Sequence, residues 1–212
     1  MCGRYHIDTE EDIQEMREIL QEISKKYADT PEHAQMKTGE IFPTNTVAVV
    51  GAEGADLMRW GFPMQGKAQT IINARSETAY ERPMFRNALI SRRVAIPTTG
   101  FYEWNHVGGR SKDKLLFRIP GEKMLYLAGM YTEFKLPSGK ERRFTILTTA
   151  ANDSMRPYHD RMPVYVSARE RNAWINDQAS VEEILRRKQP VLQATKVDKD
   201  GYPNGGQLSF LP

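Results

Sequence analysis

The stretch MLYLAGMYTEFKLPSGKERRFTILTTA, residues 124–150, carries the clearest fold signal in this 212-residue chain. It holds two runs rich in Leu, Tyr, Phe, Ile and Thr, separated by the segment LPSGKE. Side chains of these types favour strands, and a short link with Pro and Gly between two such runs is typical of a hairpin. The stretch therefore predicts two adjacent antiparallel strands.

Similar runs occur on the N-terminal side of this hairpin. Residues 46–60, TVAVVGAEGADLMRW, predict two strands around a Gly-containing turn. The segment QTIINARSE, residues 69–77, begins as a short apolar strand and then becomes polar. Strand-like segments follow at 93–104 and 114–120, each next to a polar or Gly-containing link. Short strands with hairpin-like links thus dominate the middle of the chain.

Helices are predicted near both ends of the chain and once between the strands. Residues 8–27 have apolar side chains at spacings of three and four, and Thr9 with Asp12 resembles a capping box. A second helix is predicted around residues 84–91, after a proline that suits a first turn. Two late helices are predicted from the pairs Ser167 with Glu170 and Ser180 with Glu183.

This order of elements predicts an α+β fold with a largely antiparallel, barrel-like sheet core and flanking helices. A parallel doubly wound sheet is disfavoured because helices and strands do not alternate. No repeat or linker-like tract divides the chain, so we expect one domain over residues 1–212. The turn-rich tail DKDGYPNGGQ, residues 198–207, is predicted to be a loop.

Composition narrows the classes of function. The net charge of +3 permits nucleic-acid binding without requiring it. No run approaches the ~18 apolar residues of a membrane span, and no secretory signal pattern is present. One cysteine cannot form an internal disulfide, so we expect a cytoplasmic protein, and we expect it to be monomeric. Phosphate-loop and dinucleotide-binding motifs are missing, and four histidines with one cysteine predict neither a metal site nor a cofactor.

The single cysteine is Cys2, in the opening MCGRYHID. A small residue at position 2 is compatible with removal of Met1, which would leave an N-terminal aminothiol. The α-amine has an ordinary pKa of about 7.7–8.0, so an appreciable fraction is neutral near pH 7. An amine attacks an aldehyde to give an imine, and the neighbouring sulfur can then close a five-membered thiazolidine. Cys2 therefore indicates covalent aldehyde capture, with an inert terminal cysteine as the alternative.

Three further stretches carry candidate side chains. In NARSET, Asn73 and Arg75 share a strand face and could orient the N-terminus and hold a phosphate, or they could simply close a turn. In GFYEW, Glu103 lies between two aromatic residues at a strand end, which favours a poorly solvated acid–base group over a hairpin carboxylate in water. In RPYHDRMPV, His159 is a titratable imidazole close to Arg161 on a predicted loop, although a lone histidine is often structural.

Taken together, MCGRY, NARSET, GFYEW and HDRMPV, with MRWGF and FTILTTAAN, resemble the SOS-response-associated peptidase (SRAP) family. The resemblance runs in order from Cys2 to about Val166 and weakens after about residue 188. It implies a sensor of abasic sites in single-stranded DNA that loses Met1 and crosslinks the sugar aldehyde through Cys2. It also implies a protein of the DNA damage response that associates with the nucleoid when bound to damaged DNA.

The resemblance implies a role for each candidate. Cys2 is the nucleophile, through its amine and its sulfur. Asn73 orients the N-terminus or the opened sugar, Glu103 is the acid/base of ring opening and dehydration, and His159 assists proton transfer. The family's peptidase activity is understood as self-removal of Met1, with Cys2 and Glu103 as its candidates. Lyase activity by β-elimination from the imine stays open.

Binding of a strand that lacks a base should depend on phosphates and on stacking of the neighbouring bases. The phosphate candidates are Arg4, Arg75 and Arg161. The stacking or wedge candidates, for which a core position is the alternative, are Trp60, Phe62, Met84 and Trp104.

Two other classes of function stay open at this point. One is an N-terminal-nucleophile peptidase or amidohydrolase that acts on other molecules. The other is a non-covalent nucleic-acid-binding module in which Cys2 has no role.

Overall fold

The computed structural model describes residues 2–9, 13–64, 66–105, 113–137, 139–199 and 201. The strands of this part of the chain are β1 (Arg4–Ile7), β2 (Gly39–Ile41), β3 (Thr46–Gly51), β4 (Gly54–Trp60), β5 (Phe62–Pro63), β6 (Thr70–Ile71), β7 (Asn73–Arg75), β8 (Arg93–Thr98), β9 (Gly100–Trp104), β10 (Lys114–Arg118), β11 (Leu125–Leu136), β12 (Gly139–Ala150), β13 (Arg161–Pro163), β14 (Tyr165–Val166) and β15 (Gln193–Val197). The helices are α1 (Gln14–Lys26), α2 (Pro31–Ala34), α3 (Pro83–Ser91), α4 (Arg171–Asn176) and α5 (Gln178–Arg186), with a 3-10 helix at Ser76–Thr78.

The long hairpin of β11 and β12 is part of a closed five-stranded barrel. The strand order is β12–β4–β3–β8–β11, and the pairing of β11 with β12 closes the barrel. These pairings are antiparallel except for β12 with β4, and β7 is added to β12 as a second parallel pair. The predicted hairpin at residues 124–150 and the predicted α+β, largely antiparallel, barrel-like fold are therefore confirmed.

A second sheet has the strand order β15–β10–β9–β1–β2 and brings the start of the chain into the structure. In this sheet β1 lies between β9 and β2, with Arg4 opposite Tyr102. Continuing the same register by one residue sets Gly3 opposite Glu103. The segment before β1 therefore runs along the end of β9 that carries the GFYEW motif.

Two apolar clusters cover the two faces of the barrel strands. One joins alternate barrel residues, such as Val49 and Ile146, to side chains of the second sheet, such as Phe101. The other joins the opposite residues of the same strands to helices α1, α3, α4 and α5, with Trp174 fully buried among them. The alternation of side chains in strands explains this division, because neighbouring residues point to opposite faces.

The first predicted helix begins later than expected. Residues 4–7 form β1, which was not predicted, and α1 begins at Gln14 rather than near residue 8. Ile13 is at the N-cap and its side chain makes no capping hydrogen bond. Asp12 of the predicted capping box lies outside the described residues. Pairing with both β2 and β9 holds residues 4–7 as a strand.

The late helices also begin at residues other than those predicted. Glu170 accepts hydrogen bonds from the Ser167 amide and hydroxyl, but the helix after them begins only at Arg171. The next helix is capped by Asp177, whose carboxylate accepts from the Ala179 amide, and not by Ser180. Aspartate is a strong N-cap residue, and it takes this role three residues earlier than the serine. The predicted loop at 198–207 lies mostly outside the described residues.

No helix among the described residues is long and apolar enough to cross a membrane.

Gly129 provides a test of the barrel closure, because it lies on β11 where that strand pairs with both β8 and β12. A Cβ at this position would overlap Ile96 Cδ1 and lie 3.0 Å from the Thr145 carbonyl oxygen. We predict that Gly129→Ala lowers the free energy of unfolding by about 1–3 kcal/mol, measured by denaturant titration.

Gly51→Ala is the matched control, since its new Cβ would meet only Val94 Cγ1, at 3.7 Å. Its expected effect is within about 0.5 kcal/mol. Equal stabilities of the two variants would contradict the close strand packing described for the barrel.

Candidate functional site

Cys2 lies just before β1 and is buried, with 1% of its surface exposed. Its thiol donates a hydrogen bond to the Arg4 carbonyl oxygen, with an Sγ–O distance of 3.7 Å. Burial raises the pKa of the Cys2 thiol, and the negative charge of Glu103 raises this pKa further. The sulfur is therefore a neutral thiol at physiological pH, and Glu103 is close enough for its charge to act on it.

Asn73 fixes the position of the Cys2 backbone. It is the first residue of β7 and lies opposite Ile146 in the parallel pairing with β12. Its Nδ2 donates a hydrogen bond of 2.9 Å to the Cys2 carbonyl oxygen. Its Oδ1 is buried without a hydrogen-bond partner in the described part of the chain. The amide therefore holds the terminal segment and keeps one acceptor available for another donor.

Glu103 is a buried carboxylic acid on β9, with 7% of its surface exposed. The strand holds it between Tyr102, which is fully buried, and Trp104, which is half-buried. Its main-chain neighbour across the sheet is Leu115 on β10. The buried setting predicted for the GFYEW carboxyl is therefore present, and a buried carboxyl near a buried thiol is suited to accept and return a proton.

His159 lies in the turn between β12 and β13. Its Nδ1 is 3.0 Å from the Arg161 amide nitrogen and 2.7 Å from Asp160 Oδ1. One nitrogen cannot accept from the amide and donate to the carboxylate, and the amide is fixed by the backbone whereas the Asp160 side chain is largely exposed. We therefore assign Nδ1 as the acceptor, which leaves Nε2 as the protonated nitrogen.

Two buried tyrosine hydroxyls lie in the same apolar cluster as Cys2. The hydroxyls of Tyr5 and Tyr165 have no hydrogen-bond partner within the described residues. Burial raises the pKa of both tyrosines, and the charge of a Cys2 thiolate would raise these pKa values further. Their surroundings thus also disfavour a thiolate at Cys2, because uncompensated charge in this cluster is poorly solvated.

Arg4 is held in place rather than loose in solvent. Its guanidinium carbon lies 4.4 Å from the ring centroid of Phe42 and 4.7 Å from that of Trp104. Glu40 accepts a hydrogen bond from Arg4 Nη1 at 3.0 Å and forms a second ion pair with Lys114 at 2.6 Å. This carboxylate partly neutralises the positive charge next to Cys2.

The other two predicted phosphate-binding arginines differ from each other. Arg161 makes two hydrogen bonds of 2.8 Å to the Glu77 carboxylate and one of 2.6 Å to the Thr148 carbonyl oxygen. Its side chain is 11% exposed, so much of it is engaged in holding β13 against β12 and the 3-10 helix. Arg75 is exposed and forms no ion pair within the described residues. Arg75 therefore has the most accessible charge of the three.

Trp60 and Phe62 are correctly placed near strand ends, but both are fully buried and cannot meet a nucleobase in this structure. Trp60 packs edge-on against Tyr5 and stacks on Phe144, and its Nε1 donates to the Ile72 carbonyl oxygen at 3.0 Å. Both are therefore core residues, which was the alternative to base stacking. Trp60 also supports β1 through its contact with Tyr5.

Met84 and Trp104 keep accessible surface. Met84, at the start of α3, is 47% exposed, and Trp104 is half-buried at the end of β9. Met84 lines a cleft of about 530 Å³ that also contains Asn73, Arg75 and Arg82. This cleft joins the amide that holds Cys2 to the exposed arginine.

Sequence reasoning missed three residues of the site: Glu40, Phe42 and Glu77. Glu40 and Phe42 belong to no motif and reach Arg4 only because β2 pairs with β1. Glu77 is in the NARSET stretch, but nothing local to that stretch reveals its partner Arg161, which lies 84 residues later. Within the described residues, no three His, Cys, Asp or Glu side chains come together in a way that could hold a metal ion.

The fold and these side chains define a site centred on Cys2. The two sheets hold this residue, which precedes β1, close to the Asn73 amide and the buried Glu103 carboxyl. Comparison with known proteins identifies the family. Residues 1–200 match the family model described as SOS response associated peptidase (SRAP). The chain therefore belongs to the SRAP family, as its motifs predicted.

Named relatives and solved structures extend the comparison. The Abasic site processing protein YoqW of Bacillus subtilis (strain 168) is 31% identical over 197 residues, which cover 88% of this chain and 85% of that protein. The Abasic site processing protein YedK of Escherichia coli (strain K12) is 26% identical over 218 residues, with 100% and 91% covered. Two X-ray structures share the fold. The protein from Bacteroides thetaiotaomicron has a TM-score of 0.73 and 18% identity, with 94% of this chain and 93% of that chain covered. The protein from Bordetella bronchiseptica has a TM-score of 0.71 and 22% identity, with 93% and 100% covered.

The Arg161–Glu77 pair generates a pH-dependent prediction. Its hydrogen bonds lower the pKa of Glu77 from 4.5 to about 2. A carboxyl with a lowered folded-state pKa stabilises the fold above its ordinary pKa, and this contribution is lost as the pH falls toward 2. Because the Glu77 side chain is 46% exposed, solvent screening limits the contribution to about 1 kcal/mol or less.

We predict that Glu77→Gln is less stable than wild type by up to about 1 kcal/mol near neutral pH, and that this difference shrinks toward zero at about pH 2. Unfolding by denaturant at a series of pH values measures it. Glu182→Gln is the control, since it removes a more exposed ion pair, with Arg186, whose side chain is 80% exposed. A Glu77→Gln difference that stays constant over this pH range is inconsistent with the lowered pKa.

Proposed function

We propose that this protein processes abasic sites in DNA by capturing the sugar aldehyde covalently through Cys2. The observation that carries the proposal is the placement of Cys2 within reach of the Glu103 charge and tethered by Asn73, beside a cleft that holds an exposed arginine. Membership of the SRAP family and relatives named abasic site processing proteins support the choice of substrate.

The reaction requires the free α-amine of Cys2, and so it requires prior removal of Met1. A buried carboxyl beside Cys2 is suited to assist this removal by moving a proton to or from the scissile peptide. We therefore propose that Glu103 is the acid–base group of self-processing and that Cys2 takes part as the residue whose nitrogen belongs to the scissile peptide, without attack by its sulfur. Hydrolysis consumes one water and releases methionine.

The amine attacks first. Burial disfavours the charged thiolate, so the Cys2 sulfur is a neutral thiol and a weaker nucleophile than a thiolate. The amine nitrogen adds to the aldehyde carbon of the ring-opened sugar, and loss of one water from the carbinolamine gives the imine. The sulfur then bonds to the imine carbon while its proton passes to the nitrogen, which closes the thiazolidine without any oxidant or reductant.

Three side chains support these steps. Glu103, as a carboxylate, takes the remaining proton of the carbinolamine nitrogen and delivers it to the leaving hydroxyl, and it then passes the thiol proton on to the imine nitrogen. Asn73 holds the Cys2 carbonyl oxygen, so that the amine and thiol keep one orientation, and its unpartnered Oδ1 can accept from the sugar. His159, with its proton on Nε2, donates toward the sugar oxygens.

The DNA is proposed to be single-stranded. A lesion without its base offers no base edge to read, so binding relies on phosphates and on neighbouring bases. Arg75 is the principal phosphate contact because it is exposed, and Arg4 adds a second charge that is already positioned. Arg161 acts mainly by holding the His159 turn. Met84 and Trp104 provide the exposed apolar surface beside the cleft.

A peptidase acting on other molecules is the second candidate, and the family's name supports it. The buried, neutral thiol argues against it, because attack on an amide needs an activated sulfur. A non-covalent module predicts binding that is indifferent to an abasic site. β-Elimination from the imine would instead cleave the strand, and we expect it to be outcompeted by ring closure.

We predict that the protein forms a denaturation-resistant adduct with abasic single-stranded DNA, and that Cys2→Ala and Cys2→Ser both abolish it. In Cys2→Ser the amine remains, so an imine should still form and become stable only after borohydride reduction. Denaturing gels with and without reductant separate these outcomes. A wild-type-like adduct from either variant in the absence of reductant would refute the role of sulfur.

We also predict that Glu103→Gln slows crosslinking by about 10²–10⁴-fold, because a general acid–base group typically contributes this factor. The measurement is the rate of adduct formation in single-turnover time courses at saturating DNA. Glu32→Gln, on the exposed surface of α2, is the control and should react at the wild-type rate. A folded Glu103→Gln variant with an unchanged rate would remove Glu103 from the mechanism.

A further inference from the structure

Phe42 is a large aromatic side chain that the fold leaves exposed. It is 41% exposed, and within the described residues only four large hydrophobic side chains are exposed to this degree. The others are Met84, Ile90 and Val191, so Phe42 is the one aromatic ring in the group. Phe42 follows β2 and plays no part in the chemistry proposed above.

The Phe42 ring stacks on the Arg4 guanidinium at the edge of the site. The Arg4 guanidinium lies between Phe42 and Trp104, at 4.4 and 4.7 Å from their ring centroids. Glu40 holds the guanidinium by an ion pair of 3.0 Å. One face of Phe42 is therefore covered by a fixed planar group, and the exposed surface is the remainder of the ring.

The backbone that carries Phe42 is held firmly. The Phe42 amide donates to Asn45 Oδ1 at 2.9 Å, and the Asn45 amide donates back to the Phe42 carbonyl oxygen at 3.1 Å. Thr44, inside this turn, has φ +73°, which is rare for a β-branched residue. Trp60 hydrogen-bonds the main chain of both Thr44 and Asn45 and anchors the turn to the core. The ring is thus presented on a rigid, locally strained support.

Strand register places this ring beside the reactive end of the chain. Tyr5 on β1 lies opposite Ile41 on β2. One further residue along the antiparallel register sets Phe42 opposite Arg4, which is two residues from Cys2. Phe42 therefore lies on the β2 side of the terminal segment, whereas Met84 lines the cleft on the β7 side.

We propose that Phe42 is a specificity residue on which an unpaired nucleobase next to the lesion stacks. This inference rests on the proposed capture of abasic single-stranded DNA. A base beside an abasic gap has lost one stacking neighbour, and an exposed aromatic face can replace it without reading the base's identity. The ligand is thus a strand with at least one base flanking the gap, rather than the isolated sugar phosphate.

The experiment compares two abasic oligonucleotides that are identical in length and phosphates. One has normal bases on both sides of the lesion, and the other has non-reactive tetrahydrofuran residues in those two positions. Crosslinking time courses over a range of DNA concentrations separate apparent affinity from the limiting rate. Phe42→Ala and Phe42→Leu remove the aromatic face, Phe42→Trp keeps it, and Ile90→Ala removes an equally exposed apolar side chain from the end of α3.

We predict that wild type binds the substrate with flanking bases about 5- to 150-fold more tightly than the substrate without them, as expected for one stacked base. Phe42→Ala and Phe42→Leu should reduce this preference by about fivefold or more and keep the limiting rate, whereas Phe42→Trp and Ile90→Ala should resemble wild type. The dependence of affinity on salt concentration should be unchanged, because Glu40 and Trp104 still hold the Arg4 guanidinium in place.

Two results overturn the inference: Phe42→Ala that keeps the full preference for flanking bases, or Phe42→Ala that weakens binding of both substrates equally. Failure of the proposed function is seen separately, since wild type would then crosslink neither substrate. In that case, fluorescence anisotropy with an unreactive tetrahydrofuran-containing oligonucleotide still tests whether Phe42 stacks on a base.

Discussion

The hydrogen bond from Asn73 to the Cys2 carbonyl oxygen is the interaction on which the site depends. It joins the segment before β1, in the second sheet, to β7, which is attached to the barrel strand β12. Without this link, Cys2 would be tied to the barrel only through the packing of β1. With it, one end of the chain is held between two sheets, and its thiol lies near a buried carboxyl.

Burial has two consequences for the chemistry of Cys2. It keeps the sulfur neutral, which protects the only cysteine of the chain from adventitious reactions of a thiolate. It also sets the order of the proposed reaction, because the amine must make the first bond and the sulfur follows onto a carbon already activated as an imine. The neighbouring tyrosines strengthen this restriction, since burial raises the pKa of both and neither hydroxyl has a hydrogen-bond partner within the described residues.

Carboxylates organise the positive charges around the site. Glu40 holds Arg4 and Lys114, and Glu77 holds Arg161, so two of the three candidate arginines are oriented before any ligand arrives. Such pairing reduces the net attraction for a phosphate but fixes the geometry of the guanidinium groups. Arg75 is the exception and would contribute most of the salt-dependent attraction.

The fold class was predictable because β-rich runs and their Gly- or Pro-containing links are local signals. The strand pair that closes the barrel was not predictable, since the parallel pairing of β12 with β4 joins segments about 84 residues apart. For the same reason β1 was missed: its strand conformation depends on distant partners. Glu103 and Asn73 could be chosen from their motifs. The burial of Trp60 and Phe62 could not be predicted, because the sequence near a strand end does not show which face of the strand is packed against the core. Glu40 and Phe42 had no local signal at all.

The most direct test is the intact mass of the adduct between the purified protein and an abasic oligonucleotide, recorded under denaturing conditions without reductant. The account predicts one species whose mass equals the protein without Met1 plus the oligonucleotide minus one water. An adduct that retains Met1, or a processed protein with an open terminal amine that forms no adduct, would contradict it.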